Sequence, residues 1–273
     1  TPHPRALGSA LTSSNITTDY SEALLEFVTP TFRSSWELLQ YLCDLHQFAY
    51  QHMGDELLWA TSMPCALHGD ESIPIAQYGS SNIGRMKTVY RQGLGNRYGR
   101  IMQAISGVHF NYSFPEQFWD AWQHIRDGRE SRQDFISANY FHLLRNYRRH
   151  GWIVLYLFGV SPAVCESFLA GRDFKLPRLK PGTAFEPYAT SLRMSDLGYR
   201  NRNQAGLRVS VNSLDEYVRD LTRAISTPHP EYEQLGVKVN GHYQQLNANV
   251  LQIENEYYSF IRPKRVARSG ERP

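Results

Sequence analysis

The stretch Ile101-Met-Gln-Ala-Ile-Ser-Gly-Val-His-Phe-Asn-Tyr-Ser113 is the starting point for predicting the fold of this chain. Interpreted as a β-strand, it separates with a period of two into an apolar face and a polar face. The apolar face is formed by Met102, Ala104, Ser106, Val108 and Phe110. The polar face is formed by Gln103, Ile105, Gly107, His109 and Asn111. Polar groups spaced by a glycine are typical of a strand that lines a site, so we predict a core strand with a ligand site on its polar side.

The rest of the chain mixes predicted strands and helices without regular β-α-β alternation. Strands are predicted over residues 22–29 and 246–258, and a hairpin with a type I′ turn at Asn240-Gly241 over 236–245. Helices are predicted from the capping box at Ser34 to about Gly54 and over 82–100, 115–126, 132–149 and 213–226. Residues 151–159 indicate a buried helix or strand, and 171–187 an exposed loop. This pattern favours an α+β fold with a mainly antiparallel sheet.

Composition narrows the class of protein. The 273 residues suffice for one large domain or two ordinary ones, and 41% apolar residues support a sizeable core. The 17 tyrosines suit a partly wet cleft. A net charge of +3 argues against a polyanion-binding protein. The longest apolar run, Trp152 to Val160, is shorter than the roughly 20 residues that a membrane span needs.

The chain contains three cysteines, Cys43, Cys65 and Cys165, without metal-ligand spacing. An odd number of this kind is typical of a reducing compartment. We therefore expect no disulfide framework.

Two residues are candidate metal ligands, each with an ordinary alternative. Glu26 is a carboxylate within the apolar run Leu24–Val28, so it either faces water at a strand edge or binds a metal ion. A single histidine on a strand is more often structural than a ligand. In the case of His109, the neighbouring Gln103 and Asn111 on the same predicted face favour a role in a site.

A second unusual stretch lies between Leu246 and Tyr258. Its predicted polar face consists of Gln252, Glu254, Glu256 and Tyr258. The basic residues that can compensate these acids are Arg262, Lys264, Arg265 and Arg268. The pattern fits either a solvated, salt-bridged strand or a metal-nucleotide site. A nucleic-acid patch is a third interpretation, but so few charges and one nearby ring argue against it.

Arg193 can pair with Asp196, or it can bind a phosphate or carboxylate in bidentate fashion. The sequence has no P-loop, no dinucleotide-binding glycine motif after a strand, no nucleophile elbow and no C-x-x-C. A nucleotide, if bound, would therefore be bound by another type of fold.

Several long motifs together resemble the glutamate–cysteine ligases of the proteobacterial type. They are Ile16-Thr-Thr-Asp-Tyr-Ser-Glu-Ala-Leu-Leu-Glu-Phe-Val-Thr-Pro30, Ser62-Met-Pro-Cys65, Ala76-Gln-Tyr-Gly79, Asn96-Arg-Tyr-Gly99, Ile105-Ser-Gly-Val-His109, Pro187-Tyr-Ala-Thr-Ser-Leu-Arg193, Asn249-Val-Leu-Gln-Ile-Glu-Asn255, Ile261-Arg-Pro-Lys-Arg265 and Arg268-Ser-Gly270. The resemblance implies an ATP-dependent enzyme that phosphorylates the γ-carboxylate of glutamate, with Mg²⁺ bridging phosphates and carboxylates. The amine of cysteine then attacks the acyl phosphate, which is the first step of glutathione synthesis. The implied fold is a curved antiparallel sheet forming a funnel, surrounded by helices and related to glutamine synthetase.

The resemblance also implies roles for individual residues. Glu26 and His109 are the expected magnesium ligands, and Arg193 is expected to contact the transferred phosphoryl group. Asp19 is expected near the substrate amine or the metal. The expected cysteine pocket consists of Tyr20, Tyr90, Leu94, Gln103, Tyr199 and Tyr258. In this family position 20 is commonly phenylalanine, so the tyrosine here keeps the ring and adds a hydroxyl.

The chain also departs from the family pattern. An acidic Gly-Leu-Glu-Arg-Glu strand is expected before Thr1, and a Glu-x-Arg strand after Pro273. We therefore interpret residues 1–273 as a single catalytic domain, truncated at both ends, with little ligase activity alone. We expect a cytoplasmic monomer that binds small molecules but neither nucleic acid nor membrane. The alternatives are a non-catalytic relative that binds amino acid or nucleotide without turnover, and a basic nucleic-acid module.

Overall fold

The computed structural model describes residues 2–171, 175–198 and 206–265. Helices and strands alternate irregularly along this part of the chain. In order they are β1 (Ile16–Thr18), β2 (Leu25–Phe27), α1 (Ser35–Gln51), α2 (Asn82–Tyr98), α3 (Arg100–Gln103), α4 (Glu116–Ile125), α5 (Arg132–His150), α6 (Trp152–Phe158), β3 (Ala163–Cys165), α7 (Glu166–Leu169), β4 (Arg178–Lys180), β5 (Thr183–Phe185), α8 (Leu214–Ser226), α9 (Pro230–Leu235), β6 (Lys238–Val239) and β7 (His242–Tyr243). Short 3-10 helices include Leu192–Met194 and Glu254–Glu256.

The chain divides into two compact units, each built from separated segments. Unit 1 consists of Thr1–Ser106, Ser161–Arg200 and Pro230–Ala248. Unit 2 consists of Gly107–Val160, Asn201–His229 and Asn249–Pro273. That all 273 residues act as one catalytic domain stays a prediction.

The sheets in the described residues are small and antiparallel. β1 pairs with β2, β5 lies between β3 and β4, and β6 pairs with β7. In the last hairpin Asn240 and Gly241 both have positive φ, 50° and 83°, which fits the predicted type I′ turn. The prediction of a mixed α+β fold with antiparallel pairing is confirmed.

Each unit has its own apolar core. The largest cluster in unit 1 is formed by Met63, Ile105, Val164, Phe168, Ala184, Leu192 and Leu197. The core of unit 2 is formed by Phe141, Val209, Tyr217, Ala224, Leu251 and Tyr257. Unit 2 thus packs α5 against α8 and the segment near Leu251.

Serine caps fix the start of three predicted helices. The Oγ atoms of Ser81, Ser131 and Ser213 accept hydrogen bonds from the third backbone N–H beyond them, at 3.1–3.2 Å. The helices expected from Ser34 and over 82–100, 115–126, 132–149 and 213–226 are confirmed, with ends shifted by a few residues. Over the described residues, no helix has the length and apolarity that crossing a membrane requires.

The strand predicted over 101–113 is wrong. Gly99, with φ of +83°, ends α2, and Asp70 Oδ1 accepts the backbone N–H of Ile101, so the chain starts the short helix α3 and then becomes irregular. Burial does not follow the predicted faces either, because Gln103 is buried whereas Val108 is 92% exposed. Alternating polarity alone did not distinguish a strand from this helix-to-loop transition.

Three other predictions of local structure are also wrong. Residues 246–258 form no extended strand, because Glu256 Oε2 accepts the N–H of Gln252 at 2.6 Å and closes a turn. Residues 171–187, expected as a loop, contain β4 and β5, joined across a turn at Gly182 with φ of +80°. Residues 151–159 contain helix α6, as one alternative allowed, but this helix is not buried.

The expectation of no disulfide is also wrong. Cys65 and Cys165 are bonded, with Cα atoms 5.3 Å apart, although 100 residues separate them in the chain. A hydrogen bond next to the disulfide also links these two regions. The N–H of Leu67 donates to Ser167 Oγ, in α7 directly after β3, at 3.1 Å. Cys43 is free and exposed.

Candidate active site

The candidate site lies in unit 1, where the chain turns between β1 and β2. The backbone N–H of Asp19 donates to Leu24 O at 3.0 Å and closes this turn. Arg91 on α2 donates from Nε to Asp19 O at 2.5 Å, which ties the turn to the helix. The backbone of Asp19 is therefore hydrogen-bonded both within the turn and to α2.

Two carboxylates lie close together on this hairpin. Glu26 is directly opposite Thr17, and Asp19 follows Thr17 by two residues, so Glu26 and Asp19 are diagonal neighbours on one face. The Asp19 side chain keeps access to solvent, but protein crowds its carboxyl. Desolvation and, to a smaller extent, repulsion from Glu26 raise the pKa of Asp19 to about 6, although Arg91 opposes the shift. A cation between the two acids would relieve this unfavourable arrangement.

A cluster of rings and aliphatic side chains adjoins the turn. Tyr20 and Leu94 are buried together with Ile73 and Ile75, and Tyr90 packs against them. Three residues predicted for the cysteine pocket therefore meet in one place. In the described structure these three side chains are part of a packed apolar core cluster.

The hydroxyl of Tyr20 is the exceptional atom of this cluster. It is buried without a hydrogen-bond partner, and burial raises the pKa of this group above its ordinary value. Tyr20 lies so close to Gly95 of α2 that a Cβ at position 95 would collide with the hydroxyl. Gly95 thus provides the space that the extra oxygen of Tyr20 occupies.

Gln103 and Arg193 both adjoin the segment that follows α3 in unit 1. Gln103 is buried at the end of α3. Arg193, half-buried in the 3-10 helix Leu192–Met194, donates from Nε to Ser106 O at 3.0 Å. Ser106 N in turn donates to Ser62 O at 2.9 Å. The backbone of the segment leading to His109 is therefore held by Arg193.

The remaining predicted site residues are not among the described residues of unit 1. His109 is exposed and Tyr258 half-buried, and both belong to unit 2. Tyr199 lies outside the described residues. Of the nine predicted site residues that the structure describes, seven belong to unit 1: Asp19, Tyr20, Glu26, Tyr90, Leu94, Gln103 and Arg193. Among the described residues, no group of three or more His, Cys, Asp or Glu side chains is arranged to hold a metal ion.

Sequence reasoning missed Arg91 and Tyr78. The Arg91 guanidinium lies 4.7 Å from the centre of the Tyr78 ring, and the Tyr78 hydroxyl donates to Thr18 O at 2.8 Å. Tyr78 therefore supports β1 immediately before Asp19. Tyr78 belongs to the motif Ala76-Gln-Tyr-Gly79 and Arg91 follows the predicted site residue Tyr90, but no periodic pattern distinguished them.

The comparisons with known proteins agree with these motifs. The family model described as glutamate-cysteine ligase matches residues 1–273. The chain belongs to the glutamate–cysteine ligase family. The resemblance noted in the sequence is thereby confirmed.

Close relatives in this family include two bacterial glutamate–cysteine ligases. The chain is 58% identical to that of Alcanivorax borkumensis and 54% identical to one of Pseudomonas putida, with all of this chain covered. It covers 53% and 52% of those proteins. The chain thus spans about half the length of the curated relatives that it matches.

Solved structures show the same relationship. The glutamate–cysteine ligase of Francisella tularensis, solved in complex with AMP, matches with a TM-score of 0.91 and 42% identity, over 100% of this chain and 53% of that one. A bifunctional glutathione synthetase from Pasteurella multocida matches with a TM-score of 0.73 and 26% identity, over 97% of this chain and 30% of that one. The fold described above is therefore that of the glutamate–cysteine ligase family.

Proposed function

We propose that this chain is the central part of an ATP-dependent ligase that joins the γ-carboxylate of glutamate to the amine of cysteine, the first step of glutathione synthesis. The observation that carries the proposal is the Asp19–Glu26 carboxylate pair beside the Tyr20 cluster in a glutamate–cysteine ligase chain. The AMP complex of the Francisella relative supports use of an adenine nucleotide.

Asp19 and Glu26 have the donor chemistry that magnesium requires. Mg²⁺ is commonly held by one or two carboxylates together with substrate phosphates and water. Burial and, secondarily, the charge of Glu26 raise the pKa of Asp19, so a bound cation would favour the charged form of this carboxylate. When bound, Mg²⁺ would neutralise charge on the phosphates of ATP. His109 is the further ligand that the family resemblance suggests.

Arg193 would act on the group that is transferred. Its Nε is fixed by Ser106 O, which orients the guanidinium. A fixed cation stabilises the charge that develops on a phosphoryl group and then on the tetrahedral centre formed by the cysteine amine. Attack forms the new C–N bond, and phosphate leaves from the same carbon.

The cysteine pocket is proposed at the Tyr20 cluster, with Tyr90, Leu94 and Gln103. Roles for Tyr199 and Tyr258 stay predictions from the family resemblance. The unpartnered Tyr20 hydroxyl is the group in this cluster to which a ligand atom could hydrogen-bond. We further propose that in the full-length protein the small sheets belong to a curved, funnel-shaped sheet like that of glutamine synthetase, and that the protein is a cytoplasmic monomer.

A second candidate is a chain that binds substrates without turnover on its own. The half-length match and the absence of a three-residue metal cluster among the described residues favour it for the isolated chain. ADP release with glutamate and cysteine should be measured for the 273-residue chain and for the chain extended to family length. We expect activity only in the extended form, and activity of the short chain would contradict this.

The carboxylate pair can be tested in the extended form. Glu26→Gln should reduce ADP release at least a hundredfold and weaken Mg²⁺-dependent ATP binding in calorimetry, because a charged metal ligand is lost. The matched control is Glu37→Gln in the exposed first turn of α1, which should leave both unchanged. Wild-type rates and metal dependence in Glu26→Gln would refute the proposed role of the pair.

A further inference from the structure

The disulfide of unit 1 joins two cysteines that differ in their surroundings. Cys65 lies in an exposed loop, whereas Cys165 is half-buried at the end of β3. A thiolate can cleave a disulfide only at a sulfur atom that it can reach. Cys65 is therefore the side that is open to attack by a small thiol, and Cys165 is the side that leaves.

The neighbours of Cys165 favour its departure as a thiolate. Ser167 Oγ lies 3.2 Å from Cys165 Sγ, and because a bonded sulfur carries no hydrogen, the serine hydroxyl is the donor. The N–H of Leu67 donates to the same Oγ, which leaves the hydroxyl hydrogen for the sulfur. A hydrogen bond of this kind stabilises the thiolate, and a more stable thiolate leaves faster. The nearby Glu166 carboxylate opposes this, but Arg178 Nε pairs with it at 2.6 Å.

The loop beside Cys65 has an unfavourable backbone conformation that the disulfide helps to hold. Ala66 has a φ of 55°, in the left-handed region that a residue with a side chain seldom adopts. It lies between the disulfide and the hydrogen bond from Leu67 to Ser167, so both of its ends are fixed. A residue of this kind persists only where its surroundings hold it. When the disulfide opens, one of the two constraints is lost and the loop can change its conformation.

The same loop is linked to the segment that holds Arg193. Ser62 is three residues before Cys65, and its O accepts the N–H of Ser106 at 2.9 Å. Ser62 Oγ also donates to Ser106 O, the atom that accepts Nε of Arg193 at 3.0 Å. A change in this loop therefore displaces the acceptor that orients the Arg193 guanidinium.

We propose that Cys65–Cys165 is a thiol–disulfide exchange site for small aliphatic thiols. The thiolate attacks Cys65 Sγ and forms a new S–S bond there, while the electron pair of the old bond leaves on Cys165 Sγ and takes up a proton. A second thiol cleaves the mixed disulfide. In total, two thiols become one small-molecule disulfide, and their two hydrogens pass to the cysteines. The reverse reaction with that disulfide closes the bond again.

Opening the bond loosens the link between Ser62 and Ser106 and slows the step at which Arg193 acts. This consequence rests on the proposed function, in which the cysteine substrate and the product are both thiols. A thiol-rich solution then opens the bond and lowers the rate, and small-molecule disulfides close it and restore the rate. The exchange chemistry itself does not depend on that reaction.

Peptide mapping of the chain extended to family length tests the exchange site. The oxidised protein is exposed briefly to 2-mercaptoethanol without denaturant, quenched with N-ethylmaleimide and digested. We expect mercaptoethanol on Cys65 and maleimide on Cys165. Ser167→Ala should slow the opening about fivefold, because the leaving thiolate loses its donor. The matched control is Ser161→Ala, a half-buried serine two residues before β3, which should open at the wild-type rate.

The proposal would be overturned by a disulfide that opens only in denaturant, by mercaptoethanol on Cys165, or by an unchanged rate in Ser167→Ala. The first two outcomes are read from the wild-type protein, so they decide the matter even if the variant does not fold.

Rates of ADP release test the consequence for Arg193. L-2-aminobutyrate, which has a methyl group in place of the thiol of cysteine, serves as the amine so that the substrate does not open the bond. We expect kcat to fall at least threefold on reduction with an unchanged KM for ATP, since Arg193 acts on the transferred group. Cys65→Ser combined with Cys165→Ser should show the reduced rate with or without thiol. Cys43→Ser, at the free cysteine, should respond as the wild type does.

Hydrogen exchange at the amide of Ser106 tests the same link without catalysis. This N–H donates to Ser62 O, so its exchange should become at least tenfold faster when the disulfide is reduced. Equal kcat and equal exchange in the two redox forms would overturn the link to Arg193. Absence of ADP release from both forms would instead contradict the proposed function, and the mapping and exchange results would still decide the proposal for the disulfide.

Discussion

Helices α2 and α6 show that the polarity of a helix does not by itself determine its burial. Helix α2 is rich in polar residues and glycine, yet it buries Gly84, Gly93, Leu94, Gly95 and Arg97. Helix α6 consists of apolar residues and buries none. The difference is in the partners, because α2 is surrounded by its own chain on several sides. Burial in α2 is thus produced by specific polar contacts and close backbone approach.

The largest expected effect is at Arg97, the buried cation of α2. Its Nε donates to Gln245 Oε1 at 2.9 Å, its Nη2 donates to Asn247 O at 2.7 Å, and the guanidinium lies 4.0 Å from the Tyr232 ring centre. Arg97→Ala should lower the free energy of unfolding by about 3 kcal/mol, because buried acceptors lose their donors. Urea denaturation measures this. Arg85→Ala on the exposed side of α2 is the control, and equal effects would show that the buried contacts add nothing.

The close approach at Gly95 is the next test of α2. Gly95→Ala should cost about 2 kcal/mol, because its Cβ collides with the rigid ring end of Tyr20 and crowds Arg100. Tyr20→Phe alone should stabilise the protein by about 1 kcal/mol, since it removes a buried unpaired hydroxyl. In the double variant most of the glycine penalty should disappear. Additive effects in this thermal-unfolding cycle would contradict the proposed contact.

The turn that α2 supports should respond to pH. The pKa of Asp19 is about 6 in the folded protein, against 3.8 for an unperturbed aspartate, so the folded state binds more protons between these values. Stability from this group is therefore present below about pH 4 and is lost as pH rises to about 6. Asp19→Asn should remove this dependence and stabilise the protein at pH 7 by about 1 kcal/mol, discounted for solvent access.

The pH dependence is measured by urea titrations between pH 4 and 7. Asp55→Asn, at an exposed position, is the control. A slope that persists in Asp19→Asn would assign the titration to another group. Added Mg²⁺ should reduce the slope in the wild-type protein if the pair with Glu26 binds the ion.

The smallest expected effect is at α6. Leu157→Ala in the 273-residue chain should change the free energy of unfolding by less than about 0.5 kcal/mol, because the leucine is already in water. Leu94→Ala on α2 is the matched substitution and should cost about 3 kcal/mol, because Leu94 is only 9% exposed. Equal losses at the two leucines would mean that α6 is covered in the short chain.

Long helices and the hairpin turn were predictable because their signals are local. Ser81 and Ser213 cap helices that begin beside them, and Asn240-Gly241 specifies its own backbone. The interpretation of 101–113 failed because Gly99 and the distant Asp70 together start α3 there. Burial of Arg97 likewise depends on residues about 150 positions away, which no sequence window contains.

For the site, family motifs were more informative than local chemistry. The family resemblance grouped Tyr20, Tyr90 and Leu94, and these residues share one cluster in the structure. The hydrophobic periodicity of the sequence did not indicate that Tyr20 joins the other two. The closeness of Asp19 and Glu26 follows from the β1–β2 register, which the prediction of a single strand over 22–29 did not include. Contributions from unit 2, including His109, stay predictions.

The link from Arg97 to Asn247 has a consequence for synthesis of the protein. These residues are 150 positions apart. At about 5–20 residues per second, ribosomes need roughly 8–30 s to add the second after the first. Throughout that interval the guanidinium of Arg97 stays hydrated, because the residues that bury it have not been synthesised. The contacts that bury Arg97 therefore form only after Asn247 has been synthesised, and until then α2 is incompletely packed.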